Sequence, residues 1–151
     1  MALLENSHIA IPAHRMRAPR RGIAAVEAAI LFPLVIALTF GAIEYGWVFL
    51  KQQQITNAVR QGARIAATPD ATTASVTSTI NSLMTAAGMG SSGYTVTFNP
   101  ADITTVAPGQ TFTVKVAVTY ANVSLFKNIS ANLMPVPANL GQTITMAKEG
   151  P

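Results

Sequence analysis

The chain offers little for catalysis: six carboxylates, two histidines and no cysteine in 151 residues. Both histidines, His8 and His14, precede Gly22, so everything beyond it lacks the commonest general base and metal ligand. With no cysteine there is neither a disulfide nor a thiolate metal site. Asp70, Asp102 and Glu149 are spread over loop and tail rather than paired. Glu27 and Glu44 differ in kind, because they are the only charges between Gly22 and Lys51 in a run otherwise fit for a membrane. A charge at the bilayer centre costs about 3 kcal/mol on insertion scales and is rarely left there without a role.

Glu27 stands five residues after Gly22, behind Arg20 and Arg21. If the chain is cut between Gly22 and Ile23, the new α-amino group is largely charged at neutral pH, its reference pKa being about 8. Ile23 and Glu27 are then i and i+4 on one helix, neighbours about 6 Å apart. The first turn of that helix, with its unpaired N–H groups and dipole, also favours a carboxylate. The amine of a neighbouring subunit is an equivalent partner. A third reading keeps the chain uncut and has Glu27 snorkel to Arg20 or Arg21. Physics alone leaves these open.

Two motifs look like chemistry and are explained otherwise. "GMGSSG", Gly88 to Gly93, has the spelling of a dinucleotide fingerprint, but a helix precedes it and a strand follows. The phosphate-binding version needs the reverse order, so the segment reads as a helix-to-strand loop. Asn122-Val-Ser and Asn128-Ile-Ser spell glycosylation acceptors, triplets that chance often supplies.

These residues must be carried by recognisable elements. Half of the chain is hydrophobic and only 11% is charged. Roughly 20 helical residues cross a hydrocarbon core of about 30 Å, and the stretch Ala28–Leu50 suffices, even with Pro33, Gly41 and Gly46 inside it. The sequence pI of 9.9 does not imply nucleic acid. Residues 1–22, with Arg15, Arg17, Arg20, Arg21 and Glu5, carry +3 of the net +4, as expected of the cytoplasmic flank of a membrane span.

Past Lys51 the helix turns from uniformly apolar to striped. Ile55, Ala58, Val59, Gly62, Ala63 and Ala66 share one face, and Thr68-Pro69-Asp70 ends the helix. This half is expected to dock on the sheet, the half before Leu50 staying free. A second helix is predicted over about Ala74–Ala87, with Val76, Ile80, Leu83, Met84 and Ala87 on one face. Period-two segments follow: Tyr94–Phe98, "TFTVKVAVTY" with Phe112, Val114, Val116, Val118 and Tyr120 on one side, and "QTITMA" with Ile144 and Met146 inward. Asn122–Gly141 reads as loop.

The run "RRGIAAVEAAILFPLVIALTFGAIEYGWVFLKQQQITNAVRQGARIAA", about residues 20–67, resembles the TadE-like family, minor pilin-like proteins of Tad/Flp tight-adherence pilus systems. The matching parts are "RRGIAAVE", the "FP" in the span, "FGAIEYG" at its outer end and "QQITNAVRQGARIAA" beyond. The resemblance implies a prepilin-peptidase processing site. Gly22 would precede the scissile bond, Ile23 would be the mature N-terminus, and Glu27 the carboxylate of peptidase recognition and subunit registry. Glu44 takes the acidic position of "IEYG"; six residues before the end of the apolar run, it is within reach of the membrane interface. The chain departs from Tad-type sites at Ala28, where an aromatic residue usually follows the glutamate.

The expected protein is α+β. A basic cytoplasmic leader (1–22) precedes a transmembrane helix (23–50), whose exported amphipathic continuation (51–67) leads to a small exported domain (68–151). That domain holds a second helix and a three-stranded antiparallel sheet. The protein would be a single-pass protein of the bacterial inner membrane, N-terminus cytoplasmic, that takes part in pilus assembly by protein–protein contact. Its expected partners are a prepilin peptidase, other pilin-like subunits, Tad assembly proteins and the lipid bilayer. No enzyme activity, catalytic residue, metal, cofactor, small-molecule substrate or nucleic acid is expected. The rival readings are an uncleaved envelope anchor unrelated to pili and, further off, an envelope hydrolase.

Overall fold

The structure, a computed structural model, describes residues 21–126 and 135–150. The leader, apart from Arg21 and Gly22, lies outside the described residues, as do residues 127–134 of the expected loop, Asn128 included.

Helix α1 spans Arg21–Ala67 and takes Pro33 into its interior. The described residues divide into two compact units, before and after the step from Ile36 to Ala37. In the first unit the described residues form helix alone, and every side chain from Ile23 to Ile36 is exposed, Ile23 and Ile30 by 70% or more.

The second unit holds the rest of α1, then α2 (Thr73–Ala86), β1 (Thr95–Asn99), β2 (Thr111–Thr119) and β3 (Asn139–Ala147). The strands form one antiparallel sheet in the order β1-β2-β3. The α+β architecture read from the sequence is therefore the one observed. α2 starts with a reciprocal cap. Thr72 Oγ1 accepts from the Ser75 N–H, and the Thr72 N–H donates to Ser75 Oγ. That motif satisfies two backbone donors that a Thr/Ser-rich helix would otherwise leave open.

The core joins the α1 stripe to the sheet. Ile55, Val59, Ala63 and Ala66 are fully buried in one cluster with Val76, Ile80 and Met84 of α2 and Phe112, Val114 and Val116 of β2. Gly62 is required by α2: a Cβ there would sit 2.6 Å from Ile80 Cγ1. The C-terminal segment seals the end of α1. Glu149 N–H donates to the Ala67 carbonyl (2.7 Å), and Lys148 Nζ, almost fully buried, to that of Ala66 (3.3 Å). A cation there meets the negative end of the helix dipole.

The loop expected over Asn122–Gly141 is shorter than its composition suggested. A 3₁₀ turn covers Tyr120–Asn122, and β3 begins at Asn139, with Leu140 buried opposite Val118. Gly141 hid this. It interrupts the alternation that reveals a strand, yet the site needs glycine, since a Cβ would lie 2.7 Å from the Val116 carbonyl oxygen.

Candidate functional site

Gly22, Ile23 and Glu27 lie in the first two turns of α1, on exposed surface. Among the described residues Glu27 has no hydrogen-bond or ion-pair partner. In the uncut chain the helix already starts at Arg21, so its first turn holds no acidic residue and Glu27 falls in the second. A chain that began at Ile23 would move Glu27 from the seventh helical residue to the fifth, next to the unpaired N–H groups of the first turn. Gly22 has no positive φ, and a Cβ on it would meet nothing within 4 Å. Among the described residues neither backbone conformation nor packing asks for glycine there.

Glu44 is fully buried, although it lies within the apolar run. Tyr120, just past the end of β2, donates its phenol to Glu44 Oε1 (2.5 Å), while Oε2 has no hydrogen-bond partner among the described residues. Burial, and then the neighbouring carboxylate, push the Tyr120 phenol well above its ordinary range. The side chain read from the sequence as within reach of the membrane interface is covered by its own domain.

A row of polar groups on α1 continues the attachment. Tyr45 Oη donates to the Pro135 carbonyl (2.6 Å), Trp47 Nε1 to that of Val123 (2.7 Å) and Gln52 Nε2 to that of Gly141 (2.8 Å). Lys51 Nζ lies 4.7 Å from the Trp47 ring centroid and donates to the Ala87 carbonyl, the C-terminal cap of α2 (2.8 Å). Desolvation holds the Lys51 ammonium below its usual pKa. Phe40 meets Phe126 edge-on, with centroids 5.3 Å apart. The half of α1 before Leu50 is thus not wholly free, because Phe40, Glu44, Tyr45 and Trp47 meet the domain. Sequence periodicity missed this junction, and its one visible signal was the interruption of an apolar run by Glu44, Tyr45, Trp47 and Lys51.

The remaining candidates serve the fold. Asp102 Oδ1 accepts from the Thr104 N–H, Thr104 Oγ1 and Thr73 Oγ1, which caps a 3₁₀ turn and lowers the pKa of its carboxyl. "GMGSSG" follows α2 and precedes β1, with Gly88 and Gly93 at positive φ and Met89 buried. Among the described residues no group of three or more His, Cys, Asp or Glu side chains is placed to hold a metal.

The TadE-like protein family matches this chain over residues 22–64, a segment wholly inside α1. The match bears out the resemblance read from "RRGIAAVE" through "VRQGARIAA". No curated protein and no solved structure matches the chain. The likeness is to pilin-like proteins associated with Tad pili, and among the described residues one helix is long and apolar enough to cross a membrane.

Proposed function

We propose that the protein is a membrane-anchored minor pilin-like protein that takes part in assembling a Tad/Flp-type pilus through protein–protein contacts. The observation that carries this is the coincidence, in one helix, of the TadE-like match with an exposed apolar run headed by Gly22, Ile23 and Glu27. In this reading a prepilin peptidase cuts after Gly22. The glycine that the fold does not require serves the peptidase, and Glu27 meets the freed amine of its own or a neighbouring subunit. The run Ile23–Ile43 amounts to about 31 Å of helix, a fit to a hydrocarbon core of about 30 Å. We therefore place the end of the span near Ile43 rather than Leu50. Glu44, held by Tyr120, marks the outer boundary, with Tyr45 and Trp47 at headgroup depth. The N-terminus is cytoplasmic, the anchoring membrane is the inner membrane, and the domain is exported.

The test is the mass of the mature N-terminus after co-production with a cognate prepilin peptidase. A chain beginning at Ile23 supports the reading. A full-length chain, beside a second substrate that the same peptidase does cut, would favour an uncleaved envelope anchor.

A further inference from the structure

A groove of about 420 Å³ runs between α1 and β3, lined by Asn57, Arg60, Gln61, Arg64, Ile144 and Met146. Its floor is apolar, since Ile144 and Met146 point to the core side of the sheet yet remain half-exposed. Its wall is cationic. Arg60 and Arg64 are exposed and have no ion-pair or hydrogen-bond partner among the described residues.

The groove opens on the outer edge of β3, which among the described residues pairs with β2 only. Gly141 turns its carbonyl away from β2, onto Gln52. By the alternation of an antiparallel ladder, Thr143, Thr145 and Ala147 turn their backbone groups the same way. The Thr143 carbonyl receives the side chain of Gln142, and among the described residues Thr145 and Ala147 have no backbone partner on that side. This edge strand is nine residues long, with neither charge nor proline. Charge and proline are two of the devices that blunt sheet edges left to water.

We propose that the groove receives an extended acidic segment of a partner protein, added as a fourth strand beside β3, with carboxylates on alternate residues meeting Arg60 and Arg64. The spacing suits it. Residues four apart on a helix are displaced by about 6 Å, and alternate residues of a strand by about 6.6 Å. Backbone pairing would supply affinity and the two charge-assisted contacts specificity. A second copy of this chain is the poorer occupant. β3 has no carboxylate to offer, and two-fold pairing would gather two Arg60–Arg64 pairs on one seam. The inference goes beyond the assembly reading, because the groove and its charges do not depend on the protein serving a pilus.

The test uses the full chain in detergent micelles and three labelled octapeptide amides of alternating Val and Thr. One carries Asp at two alternate positions, the second Asn at the same two, and the third Asp at two adjacent positions, hence on opposite faces. The alternate-Asp peptide is expected to bind about tenfold more tightly than either of the others, shifting the methyl resonances of Ile144 and Met146. Arg60→Gln with Arg64→Gln, both at exposed positions, should erase that preference. Thr145→Pro, which removes an edge donor, should weaken all three peptides; if that variant fails to fold, N-methylating the peptide on one edge should do the same. Equal binding of the three peptides, no binding, or indifference to the arginines would overturn the proposal. So would a dimer that the double variant dissolves, which would give the groove to a second copy. None of these results bears on N-terminal processing, so the two readings fail separately.

Discussion

Glu44 shows how one side chain can be placed by a residue 76 positions away. Tyr120→Phe would leave both carboxylate oxygens buried without a donor, and an unsatisfied buried polar group costs about 1–3 kcal/mol. We expect a loss of that order in chemical denaturation. Glu44→Gln, which still offers the Tyr120 phenol a carbonyl acceptor, should cost less. The raised phenol adds a pH dependence. The folded state holds the Tyr120 proton more tightly than the unfolded chain, so this contribution is complete below the unfolded pKa of about 10. It is lost as pH rises through the folded value. Stability should therefore fall above about pH 10 in the native chain, and more gently in Tyr120→Phe, as read by alkaline titration of unfolding. At the other end of the span, Glu27→Gln should insert in membranes at least as well as the native chain. Its recovery in complexes with partner subunits should nevertheless drop; unchanged recovery would return Glu27 to the role of an interfacial side chain.

At the scale of elements, two of the glycines of α1, Gly46 and Gly62, should respond differently to alanine. Alanine is worth about 1 kcal/mol over glycine in a helix interior. At Gly46 there is open space, so Gly46→Ala should gain up to about that amount. At Gly62 the new methyl would drive into Ile80, whose side chain is fully buried and cannot swing away. Overpacking of that kind costs about 1–3 kcal/mol, which equals or exceeds the propensity gain, so Gly62→Ala should be neutral to destabilising by about 2 kcal/mol. Thermal melts of the two variants decide it. Val59→Asp puts an unpaired charge at the fully buried centre of the same helix face and should cost several kcal/mol, appearing as lost protease resistance. Gln61→Asp, at an exposed position, should be nearly silent.

At the scale of the whole molecule, a chain without cysteine makes the membrane boundary directly measurable. Leu38 and Phe49 are both exposed and both inside the apolar run. With the hydrocarbon ending near Ile43, a cysteine at Phe49 should react with a membrane-impermeant maleimide in intact spheroplasts, and one at Leu38 should not. Protection of both would restore a span that reaches Leu50.

The sequence alone determined what short-range periodicity and composition carry. The long helix, its end before Thr68-Pro69, the striped face from Ile55 to Ala66, the second helix and the strand around Val114 were all legible. So was the family likeness, which sits in contiguous residues of α1. The rest needed tertiary structure because it joins residues far apart in the chain. Nothing near Glu44 in sequence announces Tyr120, nothing near Gly141 reveals that its missing side chain makes room for Val116, and Arg60 shows no sign of a neighbouring strand edge 84 residues on. Local pattern specifies which face of an element is apolar. Only packing decides which polar groups that face must take with it, and which cations are left without a partner.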